Sequence, residues 1–501
     1  MKKYFDVALV CLAAIAMFTA CNPGNEPTQD PTLPTISRDF DATVQWFGVA
    51  VKQSHPLIQQ AWNADADPAE FNLLLVSEDK SRISQIKPDG TSKEWKKADW
   101  PDEIQSQVGQ MNSFAFAYVD GRYYTLIWCN FTMLDQMAEV LRAEGRTYTD
   151  KDIFFDLLIL FYHESFHQFV QNSMKGWEKS SEAYNRDQTY PMEYEPRIYR
   201  KLALIALKNA WEDESKKADC YARAKYWTAK YEKNYPQEAA GIKSTDIDEA
   251  TAEYFARHIV HNAFPESVPL LYDIDTYNLG RDLDVESYMS SVAVHLLHRE
   301  GRMTEAIGAF KSQMMTPINV LLKDVEVPAN YDESQDAQDS IRIRQATEKI
   351  SGEESPYVQP VAQMVKKHQE GNNIYLGMME ENGAYTSSQG TYSLRDIPGY
   401  SCVVNYEVSC STYELKQQTI LVSSGHDLAL IADMSHLVLE NEQQAYDAIS
   451  PIPSVTITKT ATLTAVNGED KVTIKQLPVF VMIGKDKYGN TYVLCDFKYN
   501  L

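Results

Sequence analysis

The apolar positions of this chain recur with different periods in different stretches, and those periods predict its elements. Val7 to Phe18 form a short, nearly continuous apolar run. From Arg38 to about Met133 the pattern mixes a helix with short strands. Its clearest piece is FAFAYVDGRYYTLIW, residues 114–128, where two β-rich runs flank the hairpin turn Asp120-Gly121. From Thr149 to about Phe310 apolar residues recur every three to four positions, and within this span residues 195–235 predict two packed helices. The polar stretch 327–345 reads as a loop or linker. Beyond about Gly371 the texture becomes alternating β-branched and aromatic runs: CVVNYEV, TILVSS, SVTITKTATLTAV, VFVMIG and TYVLCDF. With Asn467-Gly468 and Gly489-Asn490 as turns, these predict a small antiparallel β-domain over residues 375–501.

The N-terminus reads as an address. Lys2 and Lys3 precede an apolar run too short to span a bilayer, which ends in small residues. Phe18-Thr19-Ala20-Cys21 resembles a bacterial lipobox, which implies removal of residues 1–20 and lipidation of Cys21. Residues 21–37 follow as a tether, with prolines at 23, 27, 31 and 34 among polar residues that favour extended, semi-rigid chain. By resemblance to enterobacterial lipoproteins, Asn22 rather than Asp after the cysteine favours the outer membrane over the inner. Whether the body faces the periplasm or the medium stays open.

Composition narrows the partners. The 501 residues hold 47 Lys+Arg against 70 Asp+Glu, a formal charge of −23, and show no basic stripe, which argues against nucleic acid. Loss of Lys2, Lys3 and Asp6 with the leader leaves the chain one unit more negative, so anionic lipid heads add no affinity and the lipid is the expected anchor. Outside the N-terminus no apolar run approaches the ~20 residues of a membrane span. Of seven cysteines, Cys129, Cys220, Cys402, Cys410 and Cys495 remain after cleavage and lipidation. They make no disulfide framework and no CxxC pair; Cys402 and Cys410 could bridge a hairpin, with free buried thiols the simpler reading.

Chemistry concentrates in TDKDIFFDLLILFYHESFHQFVQNSMKG, residues 149–176. Thr149 with Asp152 resembles a capping box and Gly176 a C-cap, predicting one helix of about seven turns. Ile153 to Tyr162 is apolar almost all round, the pattern of a helix buried on every side. Into it the sequence places His163, Glu164 and His167. Four residues apart, the two imidazoles project from one face and can converge on one ion, with Glu164 beside a water on that ion. A pair of hydrogen-bonded core histidines is the structural alternative.

Such a site needs a third protein ligand. No HxxGxxH continuation follows His167, so a third nearby histidine is excluded. Downstream, DIDEATAEYFARHIVHNAF, residues 246–264, puts Glu249, Ala252, Glu253 and Ala256 on one helical face. Together the two segments resemble the gluzincin metallopeptidases, over about residues 150–300. The resemblance implies Zn²⁺ as cofactor, Glu249 as third ligand and Glu253 as an acceptor for a ligand imidazole N–H; Ala250 stands where Gly is commoner. Asp248 is the nearest competitor for the ligand role, and an ion-pair or capping role is the structural alternative for Glu249. His258 and His261, like His295 and His298, have HxxH spacing without a flanking acid and read as structural. Tyr254, Tyr288, His295 and His298 are possible oxyanion donors.

The expected fold is therefore α+β. A mainly helical zincin-like metallopeptidase domain with a small N-terminal sheet (38–325) would be followed by a linker and helix (326–374) and the β-domain. The expected function is a lipid-anchored zinc peptidase of the bacterial cell envelope acting on peptide or protein, with Glu164 as general base towards metal-activated water. The rivals are a non-enzymatic outer-membrane lipoprotein binding glycan or peptide, and an inactive peptidase-like scaffold.

Overall fold

The computed structural model describes residues 32–353, apart from 64, 112, 144–147, 173–187, 191–192, 275–278 and 280–282. Beyond these it describes 366, 369–371, 489 and strands between 374 and 496. The leader, Cys21 and most of the tether lie outside the described residues, as do Gly176, residues 454–461, Cys410 and the turn Asn467-Gly468. The fold is mixed α+β, and the chain forms two compact units, one of residues 1–186 and 194–347, the other of 187–193 and 348–501. Among the described residues no helix is long and apolar enough to cross a membrane.

The first unit begins with helix α1 (Phe40–Ser54), capped by the Asp39 carboxylate, which accepts from the N–H groups of Asp41 and Ala42. Five strands follow: β1 (Leu73–Val76), β2 (Ile83–Ile86), β3 (Ser92–Trp95) and the hairpin β4 (Phe114–Val119) and β5 (Arg122–Trp128). They form one sheet in the order β3-β2-β1-β5-β4, antiparallel except for the parallel pairing of β1 with β5. The hairpin turn is as the sequence predicts, with Asp120 and Gly121 both at positive φ. Alternation along the strands divides the sheet's two faces. Leu74, Val76 and Leu126 pack with Trp100, Ile104 and Val108, the last two on helix α2 (Asp102–Gln110). Leu73, Leu75 and Ile127 join the large core.

That core is built on helices. After α3 (Phe131–Ala143) comes α4 (Asp150–Phe166), which opens with the expected Thr149–Asp152 capping box and is buried from Ile153 to its end. Trp46 of α1 packs edge-on against Phe154 and Phe155 of α4, at centroid distances of 5.1 and 5.2 Å. The segment 195–235 is a helix pair, α5 (Tyr194–Glu212) and α6 (Lys217–Asn234). Next, α7 (Pro236–Ala263) starts ten residues earlier than the motif alone suggested. The stretch that carries Tyr288, His295 and His298 is divided at Ser290 into α8 (Leu283–Met289) and α9 (Ser291–Arg299).

A second correction concerns the polar stretch 327–345. From Ala337 it is helical, running to Glu353, because Ile343 and Thr347 form a narrow buried stripe on an otherwise polar helix.

A buried ionic network fixes α5 against α7 and α8. Arg200 donates two hydrogen bonds to Asp246, at 2.7 and 3.0 Å, and a third to Glu286, at 2.8 Å. Arg197 and Lys201 approach the same Glu286 carboxylate at 3.2 and 3.4 Å. Five groups that would each be costly to bury alone are held as one paired set.

In the second unit the described parts of the runs read as strands are strands: Tyr400–Ser409, Tyr413–Ser423, Thr462–Ala465, Phe480–Lys485 and Thr491–Asp496. Pairing is largely antiparallel, but Ile374–Met378 runs parallel to Thr491–Asp496. Gln188–Tyr190 runs parallel to Gly390–Leu394, so a short insertion between α4 and α5 supplies a strand to this unit.

Two substitutions test the packing. Phe154→Ala should lower stability by about 3–5 kcal/mol. Gly48→Ala should lower it by about 1–3 kcal/mol, since an added Cβ would meet the Gly90 carbonyl oxygen at 2.5 Å. Gly241→Ala, in α7 with nothing within 4 Å of its Cβ, should instead raise stability by about 0.5–1 kcal/mol. Urea midpoints of the first unit's transition measure all three.

Candidate metal centre

The centre forms where α4 and α7 pack together. Small residues make the approach possible: Ala250, Ala252 and Ala256 are fully buried on α7. His163 and Glu164 lie in the last turns of α4, 0 and 2% exposed. The α-helix then ends at Phe166 and the chain continues as a π-helical turn, His167–Gln171, in which the Asn172 N–H donates to the His167 carbonyl at 2.7 Å. This corrects the expectation of one uniform helix through His167.

The sequence-predicted ligands meet. His163 Nε2 and His167 Nε2 are 2.9 Å apart, and the Glu249 carboxylate lies 3.1 Å from the first and 3.4 Å from the second. These residues could hold a metal ion. Ligand atoms about 2.0–2.1 Å from a tetrahedral Zn²⁺ are separated by about 3.3 Å, so the observed triangle is close to one face of that tetrahedron. Asp248, the competing acid, instead offers its backbone carbonyl to Gln171.

The electrostatics also favour positive charge here. Burial opposes a charged His163, but Glu249 and Glu253 outweigh it and raise its pKa to about 10. His167 moves in the same direction, burial being overcome by Glu249. Glu253 lies 3.2 Å from His163 Nδ1, the distance and atom expected of an orienting acceptor. Burial would push the Glu253 pKa up; Arg257, one turn on and paired with it, holds it below the ordinary carboxylate value. The Arg257 guanidinium is itself placed by the Pro269 carbonyl and the face of Tyr272.

The four candidate oxyanion donors do not form one group. Tyr288 stacks on the His163 ring, with centroids 5.5 Å apart and planes at 16°. Tyr254 donates to the Ala61 carbonyl, so its oxygen accepts from His298 Nδ1–H. It packs with His295 and His258 between α7 and α9. Burial and mutual repulsion depress these imidazoles, His258 to about 4 and His295 well below its ordinary value, so they form a neutral packing cluster. His261 Nδ1 is 2.7 Å from the Val268 carbonyl.

Sequence reasoning missed Gln171, Thr251 and Arg257. Gln171 is hydrogen-bonded to His167 Nδ1 and donates to Asp248 and Thr251 of α7. Its position four residues beyond His167 was the available signal. No protein-family model, curated protein or solved structure matches this chain.

Equilibrium dialysis of the full-length chain, purified in detergent, should find one Zn²⁺ per chain. His167→Ala should abolish that binding, and Glu253→Gln should retain the ion with affinity lower by about 10–100-fold.

Proposed function

We propose that the chain is a lipid-anchored zinc peptidase of the bacterial envelope, with a zincin-like first unit resembling gluzincins. The observation that carries this reading is the convergence of buried His163 and Glu249 with partly buried His167, with Glu164 next in the chain to a ligand. Two imidazoles and one carboxylate are the donor set of a catalytic rather than a closed structural zinc site.

When bound there, Zn²⁺ would supply Lewis acidity, acidifying water and polarising a scissile carbonyl. The chain's own residues do the rest. Glu164, held on a rigid buried helix, accepts the proton of the attacking water on its carboxylate and passes it to the leaving amine nitrogen. Burial strengthens each electrostatic interaction with the reacting carbonyl, since little water screens them. Tyr288, packed on His163, holds that ring in plane and is the oxyanion candidate in contact with the cluster.

The anchor is supported by the Lys2–Cys21 segment and its proline-rich continuation. A peptide or protein chain is the proposed substrate, with the second unit as an accessory β-domain.

Glu164→Gln should keep one Zn²⁺ per chain and lose at least about 100-fold in cleavage of a quenched fluorescent peptide library. Unchanged cleavage in the zinc-replete variant would overturn the proposed role of Glu164. Wild-type protein that binds zinc and cleaves no peptide would instead favour a binding or scaffold function.

A further inference from the structure

We propose that Gln171 is a positioning residue that sets the tautomer of His167 and ties it to the α7 segment carrying Glu249; this rests on the metal-centre reading above. Gln171 is buried, 4% exposed, at the end of the π-helical turn that begins with His167. Its amide nitrogen donates to the Asp248 carbonyl at 2.8 Å and to Thr251 Oγ1 at 2.7 Å. The carbonyl can only accept. Thr251 donates its own hydroxyl proton to the Ile247 carbonyl at 2.7 Å, so its oxygen presents a lone pair to Gln171. Both partners on α7 therefore demand the NH₂ end of the amide.

The other end follows by elimination. Gln171 Oε1 must face His167 Nδ1, and an amide oxygen only accepts, so Nδ1 carries the proton. A neutral imidazole then has its lone pair on Nε2, the atom beside His163 Nε2 and Glu249 Oε2. Turning the amide over would set its oxygen against the Asp248 carbonyl and force the His167 proton to Nε2, into the ligand cluster. The α7 backbone, acting through one glutamine, thus decides which nitrogen of an α4-side histidine can bind a metal. Asp248 and Thr251 flank Glu249, so the same amide aligns the third ligand with the second. The π turn brings the Gln171 side chain to both partners at once.

The test compares Gln171→Met, which removes donor and acceptor, with Gln171→Glu, which keeps an acceptor for Nδ1–H. Zn²⁺ affinity is measured by chelator competition on the full-length chain. Co²⁺-loaded protein is examined by proton NMR for shifted, exchangeable imidazole N–H signals. The unmodified chain should show two such signals, from the Nδ1–H groups of His163 and His167. Gln171→Met should weaken Zn²⁺ binding by about 10–100-fold and lose or rapidly exchange one signal; Gln171→Glu should restore that signal and bring affinity back to within a few-fold. Gln171→Met with unchanged affinity and both signals would overturn the inference. So would equal weakening by both variants with both signals intact, because the glutamine would then be only a structural tie. Absence of Zn²⁺ binding in the unmodified chain would overturn the metal-centre reading itself, and this inference with it.

Discussion

The α4–α7 interface is the constraint on which the rest of the first unit depends. Helix α4 is buried from Ile153 to Phe166, so the polar groups within it must find partners on neighbouring elements. Towards the sheet, Ser165 meets Thr125 at 2.8 Å; towards α1, Tyr162 meets Ser54 at 2.7 Å. Towards α7, His163 and His167 meet Glu249 and Glu253, in an arrangement that draws positive charge to one point. Removing one member would leave the others buried with an incomplete set of partners, which costs more than the net worth of any single contact.

Several layers outside the cluster hold it in register. Glu253 is fixed by Arg257, and Arg257 by Pro269 and Tyr272. One turn before Glu249, Asp246 is gripped by Arg200, which also binds Glu286 of α8, two residues before Tyr288. The elements presenting Glu249 and Tyr288 are therefore clamped to the same guanidinium on α5. Such support suits a site whose ligands must be held with little freedom.

Much of this was legible in the sequence because the signals are local. The capping box at Thr149, the hairpin at Asp120-Gly121, the all-round apolar helix and the spacing of His163 with His167 each depend on residues within one or two turns of each other. Glu249 is distant in sequence from both histidines; it was reached through a resemblance, and its carboxylate does meet both imidazoles. What was not legible depends on tertiary packing. The π turn after Phe166 leaves no compositional mark, and the role of Gln171 appears only when Asp248 and Thr251 are brought beside it. A helix was expected somewhere in 326–374, but its start at Ala337, inside the stretch read as a loop, was hidden because only a narrow stripe of it is buried. The strand at 188–190 was invisible because three residues carry no periodicity, and its partner lies about two hundred residues later.

The central claim is that one metal ion is held by His163, His167 and Glu249. Anomalous diffraction at the zinc edge, from crystals of the protein grown with Zn²⁺, tests it most directly. The predicted result is a single strong peak about 2.0–2.2 Å from both Nε2 atoms and a Glu249 carboxylate oxygen. A peak elsewhere, or none between α4 and α7 at full zinc occupancy of the protein, would contradict it.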